Sequence, residues 1–165
     1  MKRTKKKLLG AAVISLLFSI VSALPSFAIV YSEGTIDGHL PTESGLNCSA
    51  DATTMRSVYL KDMWGANVGF LELRYSLTCH AAWARLTNYY TAVGGDTHSG
   101  QAWITRTASP TGSLPTYTCS TSPGTFQSCY TRMVYDLDPR TAKASASIDA
   151  YDSYYGTITG QTSSY

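Results

Sequence analysis

Nothing constrains this chain more than its first twenty-eight residues. A basic cluster from Lys2 to Lys7, an apolar run from Leu8 to Leu24 and the small-x-small triplet Ser26-Phe27-Ala28 are the three parts of a secretory signal peptide with its cleavage site. Such a leader puts the folded protein outside the cytoplasm, where Cys48, Cys79, Cys119 and Cys129 are expected to be oxidised to disulfides. The expected organisation is a signal peptide over 1–28 and a single secreted domain over 29–165. No second apolar stretch long enough to span a bilayer follows Ala28, so the expected product is extracellular, with no membrane span after cleavage.

Cleavage also reverses the charge. Five of the thirteen Lys and Arg residues leave with the leader while none of the eleven acids does, so the formal charge falls from +2 to −3. The basic excess belongs to the export signal, and no nucleic-acid partner follows from it. The remaining 137 residues suit one core, a size at which roughly two-thirds of the unfolded surface is buried.

Short runs rich in β-branched and aromatic residues, separated by turn-forming clusters, predict an all-β domain: a small, disulfide-stapled antiparallel sandwich or barrel. Strands are expected over Thr53 to Lys61 and Val68 to Ser76, joined by a hairpin loop at Asp62 to Asn67, then over Ala82 to Tyr89, Gln101 to Ala108, Tyr130 to Leu137 and Ala142 to Tyr151. Tyr154 to Thr159 is a last candidate that either pairs or frays. In the second run Leu71, Leu73 and Tyr75 alternate with Glu72, Arg74 and Ser76, a period of two that sorts side chains onto opposite faces. Ser109 to Ser128, rich in Ser, Thr, Pro and Gly, reads as a long loop tied down by Cys119 and Cys129.

Four cysteines allow three pairings, which sequence alone does not separate. The local arrangement is the expected one: Cys48 with Cys79, and Cys119 with Cys129 across the Pro123-Gly124 turn. The C-x-x-C pairs of zinc sites are absent, and neither a metal nor a cofactor is expected.

The stretch from Leu71 to Leu86 contains Glu-Leu-Arg-Tyr-Ser, then Cys79, then Trp83-Ala84-Arg85. It resembles the core signature of the YjfA-like proteins, small secreted bacterial proteins whose domain has no assigned function. Cys48 followed by Asp51-Ala52, and the later Met133-Val134-Tyr135, extend the resemblance, which is close over Gly45 to Leu86 and loose elsewhere. It implies the Cys48–Cys79 pair more than the second pair. Members have further cysteines where this chain, over Gly34 to Pro41 and Ala142 to Ile148, has none. It implies no activity and no catalytic residues.

No catalytic residue is assigned from the residues either. His39, His80 and His98 come with no G-x-S-x-G elbow, H-E-x-x-H helix or phosphate loop, and His39 and His98 read as solvated loop residues. Among Asp51, Glu72, Asp96, Asp136 and Asp149 no spacing singles out the pair that a glycosidase needs. Asp136 and Asp138, beside Pro139, read as turn and cap residues. The candidate binding residues are Arg74, Trp83 and Arg85. Glu72 and Arg74 share one face of their strand, and an antiparallel neighbour would place Trp83 and Arg85 beside them. One acid against two guanidinium groups is either a cross-strand ion pair with Arg stacked on Trp, each contact contributing up to ~1 kcal/mol, or an anion-recognition patch.

The secreted segment carries all twelve tyrosines and three tryptophans but only Phe70 and Phe126 among phenylalanines, a balance that favours binding surfaces. Tyr151, Tyr154, Tyr155 and Tyr165 are expected outside the core. The functional expectation is a small secreted binding protein acting at or near a bacterial cell envelope, its partner a cell-wall polymer or an extracellular protein. Two alternatives share the scaffold: a secreted hydrolase of cell-wall polymer or protein, and a toxin or inhibitor of microbial competition.

Overall fold

The computed structural model describes residues 31–90, 98–122, 127–149 and 156–165. The signal-peptide reading over 1–28 lies outside the described residues, as do Asp96, Pro123-Gly124, Phe126, Tyr151, Tyr154 and Tyr155. Two antiparallel sheets pack face to face as a sandwich. The first contains β1 (Thr53–Lys61), β2 (Asn67–Ser76), β3 (Ala81–Asn88), β6 (Gln127–Tyr130) and β7 (Val134–Tyr135); the second contains β4 (Gly100–Ala108), β5 (Thr116–Thr121), β8 (Thr141–Asp149) and β9 (Thr157–Gln161). The first runs β1-β2-β3, with β6 and β7 sharing the far edge of β3, and the second runs β5-β4-β8-β9.

Period-two patterning builds the core. Leu71, Leu73 and Tyr75 of β2 register against Leu86, Ala84 and Ala82 of β3, and all six are buried. Facing them, β4 contributes Ala102 and Ile104, and β8 contributes Ala142, Ala144, Ala146 and Ile148. The small side chains of β8 let the sheets come close. At Gly69 a Cβ would run into the Ile148 side chain and lie 3.2 Å from the Thr87 carbonyl oxygen, so only glycine fits there.

The expected loop over Ser109 to Ser128 is in part a strand. β5 pairs with β4 from Thr116↔Thr105 to Thr121↔Gly100, and its Tyr117 and Cys119 pack against the core. Its hydroxyl-rich composition hid an alternating pattern in which Thr116, Thr118 and Ser120 face water. The strand expected over Tyr130 to Leu137 is broken in two. At Thr131 the side-chain hydroxyl, not the backbone, accepts from Ala84 N–H (3.1 Å), and Met133 turns away to exchange backbone bonds with Gly38 and His39. β8 ends at Asp149, and the last strand, expected over Tyr154 to Thr159, runs from Thr157 to Gln161.

Both expected disulfides are formed, and they fit an oxidising compartment. Cys119–Cys129 joins β5 of one sheet to β6 of the other, so a pairing local in sequence is a staple between layers. Cys48–Cys79 does a different job. Residues 31–52, including the single helical turn α1 (Glu33–Ile36), form a strap across the outer face of the first sheet, and this bond fixes it to the β2–β3 turn. Beneath the strap lies a second, smaller core of Ile36, Cys48, Cys79, Trp83, Met133 and Tyr135.

Candidate functional site

The antiparallel register puts the candidate residues on one face. On the outer side of the first sheet Thr54, Arg74 and Trp83 form one row, Ser57, Glu72, Arg85 and Tyr130 the next, and Tyr59, Phe70, Thr87 and Ser128 a third. The strap covers the Arg74 and Trp83 end of the first row, while in the other two Ser57, Arg85, Tyr130, Tyr59 and Ser128 stay exposed around the buried Glu72 and Thr87. Where its edge meets the sheet, Pro41, Thr42 and Ser49 face Arg74, Trp83, Arg85 and Tyr130 across a groove of roughly 200 Å³. All three binding residues expected from the sequence line that groove.

Their environments differ. Trp83 is only 4% exposed and belongs to the second core, so its indole supports the groove rather than offering a ring face. The guanidinium–ring contacts lie elsewhere, Arg56 over Tyr165 and Arg140 over Tyr135. Arg74 is anchored, donating to the Ala52 carbonyl of the strap (2.9 Å) and to the Thr54 hydroxyl (3.2 Å). Glu72 accepts from Thr54 Oγ1 at 2.6 Å and lies 3.5 Å from Arg74 and 3.7 Å from Arg85. The Arg85 side chain is 45% exposed, so its long contact with Glu72 contributes ~0 to 1 kcal/mol and leaves its fork free. One carboxylate shared by two guanidinium groups leaves a net positive charge, and Tyr59 and Tyr130 flank it as half-exposed rings.

The volume sets what the groove can hold. It is below the 300 to 1,000 Å³ of pockets that enclose a whole small molecule. It suits one anionic group of a longer ligand lying across the open rows, with Arg85 gripping a carboxylate or phosphate in bidentate fashion.

Two polar clusters went unread in the sequence. Arg106 points into the sandwich and is fully buried. Its guanidinium donates to the Tyr135 carbonyl from Nε (3.1 Å) and Nη2 (2.8 Å), to Asp37 and to Glu33 (3.3 Å). Arg140 also donates to Glu33 (2.7 Å), and that bond, more than the nearby Arg106 charge, holds the Glu33 carboxyl below its usual range although burial opposes it. This network ties the strap to β4 and β7. A charge in alternation with Ala102 and Ile104 breaks the apolar pattern of β4, and that break was the available signal.

Asp136 is not the turn or cap residue expected. It is 5% exposed, and neither carboxylate oxygen has a hydrogen-bond partner among the described residues. Burial pushes it up to about 7, with Arg106 and Arg140 opposing. Asp51 does serve as a turn residue, accepting from Ser76 Oγ and Thr78 N–H; burial raises its carboxyl, but these bonds outweigh it and hold it low. His98, expected to be solvated, is buried and packs on Tyr90 with ring centroids 4.2 Å apart.

A pH dependence follows. An acid raised on folding adds stability that is complete below its unfolded value of about 3.9 and is lost as pH rises through its folded value. Asp136 therefore destabilises the fold between pH 5.5 and 8. Glu33, Asp51 and Glu43, the last held low chiefly by its hydrogen bond from His39, act the other way and only at more acid pH. Urea unfolding at pH 5.5 and 8 is expected to show a smaller difference for Asp136→Asn than for the unaltered protein. An equal difference would assign the dependence to another group.

A family model described as "Protein of unknown function (DUF2690)" matches residues 34–145, which include most of the strap, the groove and both disulfides. The uncharacterized protein YjfA of Bacillus subtilis (strain 168) is 36% identical over 104 residues, covering 59% of this chain and 62% of that protein. The match thus spans about three-fifths of the relative's length. No solved structure matches significantly.

Proposed function

Since this chain belongs to the DUF2690 family, whose description names no activity, we propose its function from the groove: a secreted binding module that holds an anionic polymer of the bacterial cell envelope. The observation that carries this reading is the half-exposed Arg85 fork beside Arg74, with Glu72 the one carboxylate paired with both among the described residues. The open rows beyond it, with Tyr59 and Tyr130, give a polymer room to continue past one anionic group. The signal peptide read in the sequence supports delivery to the envelope.

Arg85 is the clean probe, because its ion pair contributes little to stability. Trp83 is not, since emptying a buried Trp site costs about 3 to 5 kcal/mol. Co-sedimentation of the oxidised protein with purified bacterial cell walls, before and after removal of their anionic polymers and across a salt series, tests the proposal. The protein is expected to be retained at low salt, released as salt rises, and lost from stripped walls. Arg85→Glu is expected to reduce retention at least tenfold, a charge-assisted bidentate contact being replaced by repulsion, with its melting transition within about 1 kcal/mol of the parent. Retention of Arg85→Glu equal to the parent's, or no retention of the parent, would sink this reading.

A further inference from the structure

A second cavity, sharing no residue with the groove, lies between the β2–β3 turn, the segment after β7 and the C-terminal residues, with a volume of roughly 300 Å³. Tyr75, His80 and Asp136 form its less exposed side, while Leu77, Leu137 and Tyr165 stand at its mouth with exposures of 70%, 38% and 38%. We propose that this cavity binds a primary ammonium group carried on an apolar stem, with the Asp136 carboxylate as its counter-ion.

Asp136 carries an unmet demand. A buried carboxylate without a hydrogen bond is strongly disfavoured, and such a group in a native fold calls for an explanation. Asp136 uses its backbone N–H on the His80 carbonyl, but both side-chain oxygens, shut off from solvent, have no hydrogen-bond partner among the described residues. The nearest cations are already committed: Arg106 to Asp37 and Glu33, Arg140 to Glu33. Asp138 adds a second acid to the lining. An anionic ligand would meet two carboxylates here, and the one guanidinium in the lining, Arg140, is paired with Glu33. Among the described residues no three His, Cys, Asp or Glu side chains are placed to hold a metal ion, which leaves an organic cation as the complement. An ammonium brings three donors to two bare oxygens. The apolar mouth covers a stem of a few methylenes, and an exposed cluster of that kind is itself a mark of a binding surface.

Burial also couples binding to protons. Around Asp136 in the cavity lining are Tyr75 from β2, His80 from the turn, Asp138 and Arg140 from the segment after β7, and Tyr165 from the C-terminal segment, with the Arg106 charge also acting on it. Tyr75 is pushed up to about 12, mainly by burial, and stays a neutral phenol. Asp136, held up to about 7, must lose its proton to receive the cation. Affinity is therefore expected to rise about tenfold from pH 6 to pH 8, with a proton released on binding.

Calorimetric titration of the oxidised protein with n-pentylamine and with Nα-acetyl-lysine methylamide tests this, using 1-pentanol as the uncharged control. Each is run at pH 6 and 8 in two buffers of different ionisation enthalpy. At least one amine is expected to bind with the pH rise and proton release described, and pentanol is not. Binding of pentylamine alone identifies a free amine as the ligand; binding of the lysine derivative identifies a lysine side chain of a partner. Either upholds the site. Asp136→Asn, nearly isosteric, is expected to weaken binding at least tenfold, through loss of the charge-assisted bond. No heat from either amine, equal binding of pentanol, or undiminished binding by Asp136→Asn would overturn it. Should that variant lose the native circular dichroism spectrum, the unaltered protein decides: affinity independent of pH overturns the site.

Discussion

Replacing Arg106 by methionine is expected to lower the unfolding free energy in urea by about 3 to 5 kcal/mol, the range found when one partner of a buried ion pair is removed. The reason is what stays behind. Among the described residues Asp37 would keep the Tyr135 N–H (2.6 Å) alone, and the Tyr135 carbonyl would lose both guanidinium donors. Glu33 retains Arg140, so most of the loss falls on Asp37. The double variant Arg106→Met with Asp37→Asn is therefore expected to recover part of the loss by removing the stranded charge. Lysine is expected to be a poor substitute: one ammonium cannot reproduce a planar fork that reaches Tyr135, Asp37 and Glu33 at once. A loss under 1 kcal/mol in Arg106→Met would mean that the strap is held to the sandwich by something else.

The second large effect concerns the disulfides, which are expected to be unequal. On the loop-entropy model the 31-residue separation of Cys48 and Cys79 corresponds to about 4 kcal/mol, and the 10-residue separation of Cys119 and Cys129 to about 3 kcal/mol. The structure adds a difference in kind. Cys48→Ala with Cys79→Ala frees the strap and with it the cover over Trp83, whereas the other pair frees only a contact between layers already held by their core. Trp64 is 72% exposed and Trp103 lies outside both cores, so a red shift in tryptophan emission under native conditions reports chiefly on Trp83. That shift is expected for the Cys48/Cys79 double variant and not for the Cys119/Cys129 one. Identical emission from the two would argue that the strap stays down without its bond.

Much of the candidate groove was legible because the rule that builds it is local. Residues two apart on a strand share a face, and antiparallel neighbours meet in register, so Glu72, Arg74, Trp83 and Arg85 come together wherever β2 and β3 pair. The same rule missed β5, whose outward positions are threonines that composition assigns to loops. It also overran at Thr131, where a hydroxyl takes the place of a backbone acceptor and the chain leaves the sheet for the strap.

The amino-acid sequence by itself determined the all-β class and the faces of the central strands, since each depends on residues close together in the chain, whereas which cysteines pair was settled by the fold. Tertiary structure decided which faces see water. Trp83 is shut away and Arg85 left open because residues 31–52 cross one row of the sheet and stop short of the next. Arg106 is tolerated in the sandwich because acids about seventy residues away reach it, and Asp136 loses water without gaining a partner among the described residues. Periodicity says which side of a strand a residue takes. What covers that side, and whether the cover brings hydrogen bonds, depends on chain far away in sequence, where burial either meets a polar group or strands it.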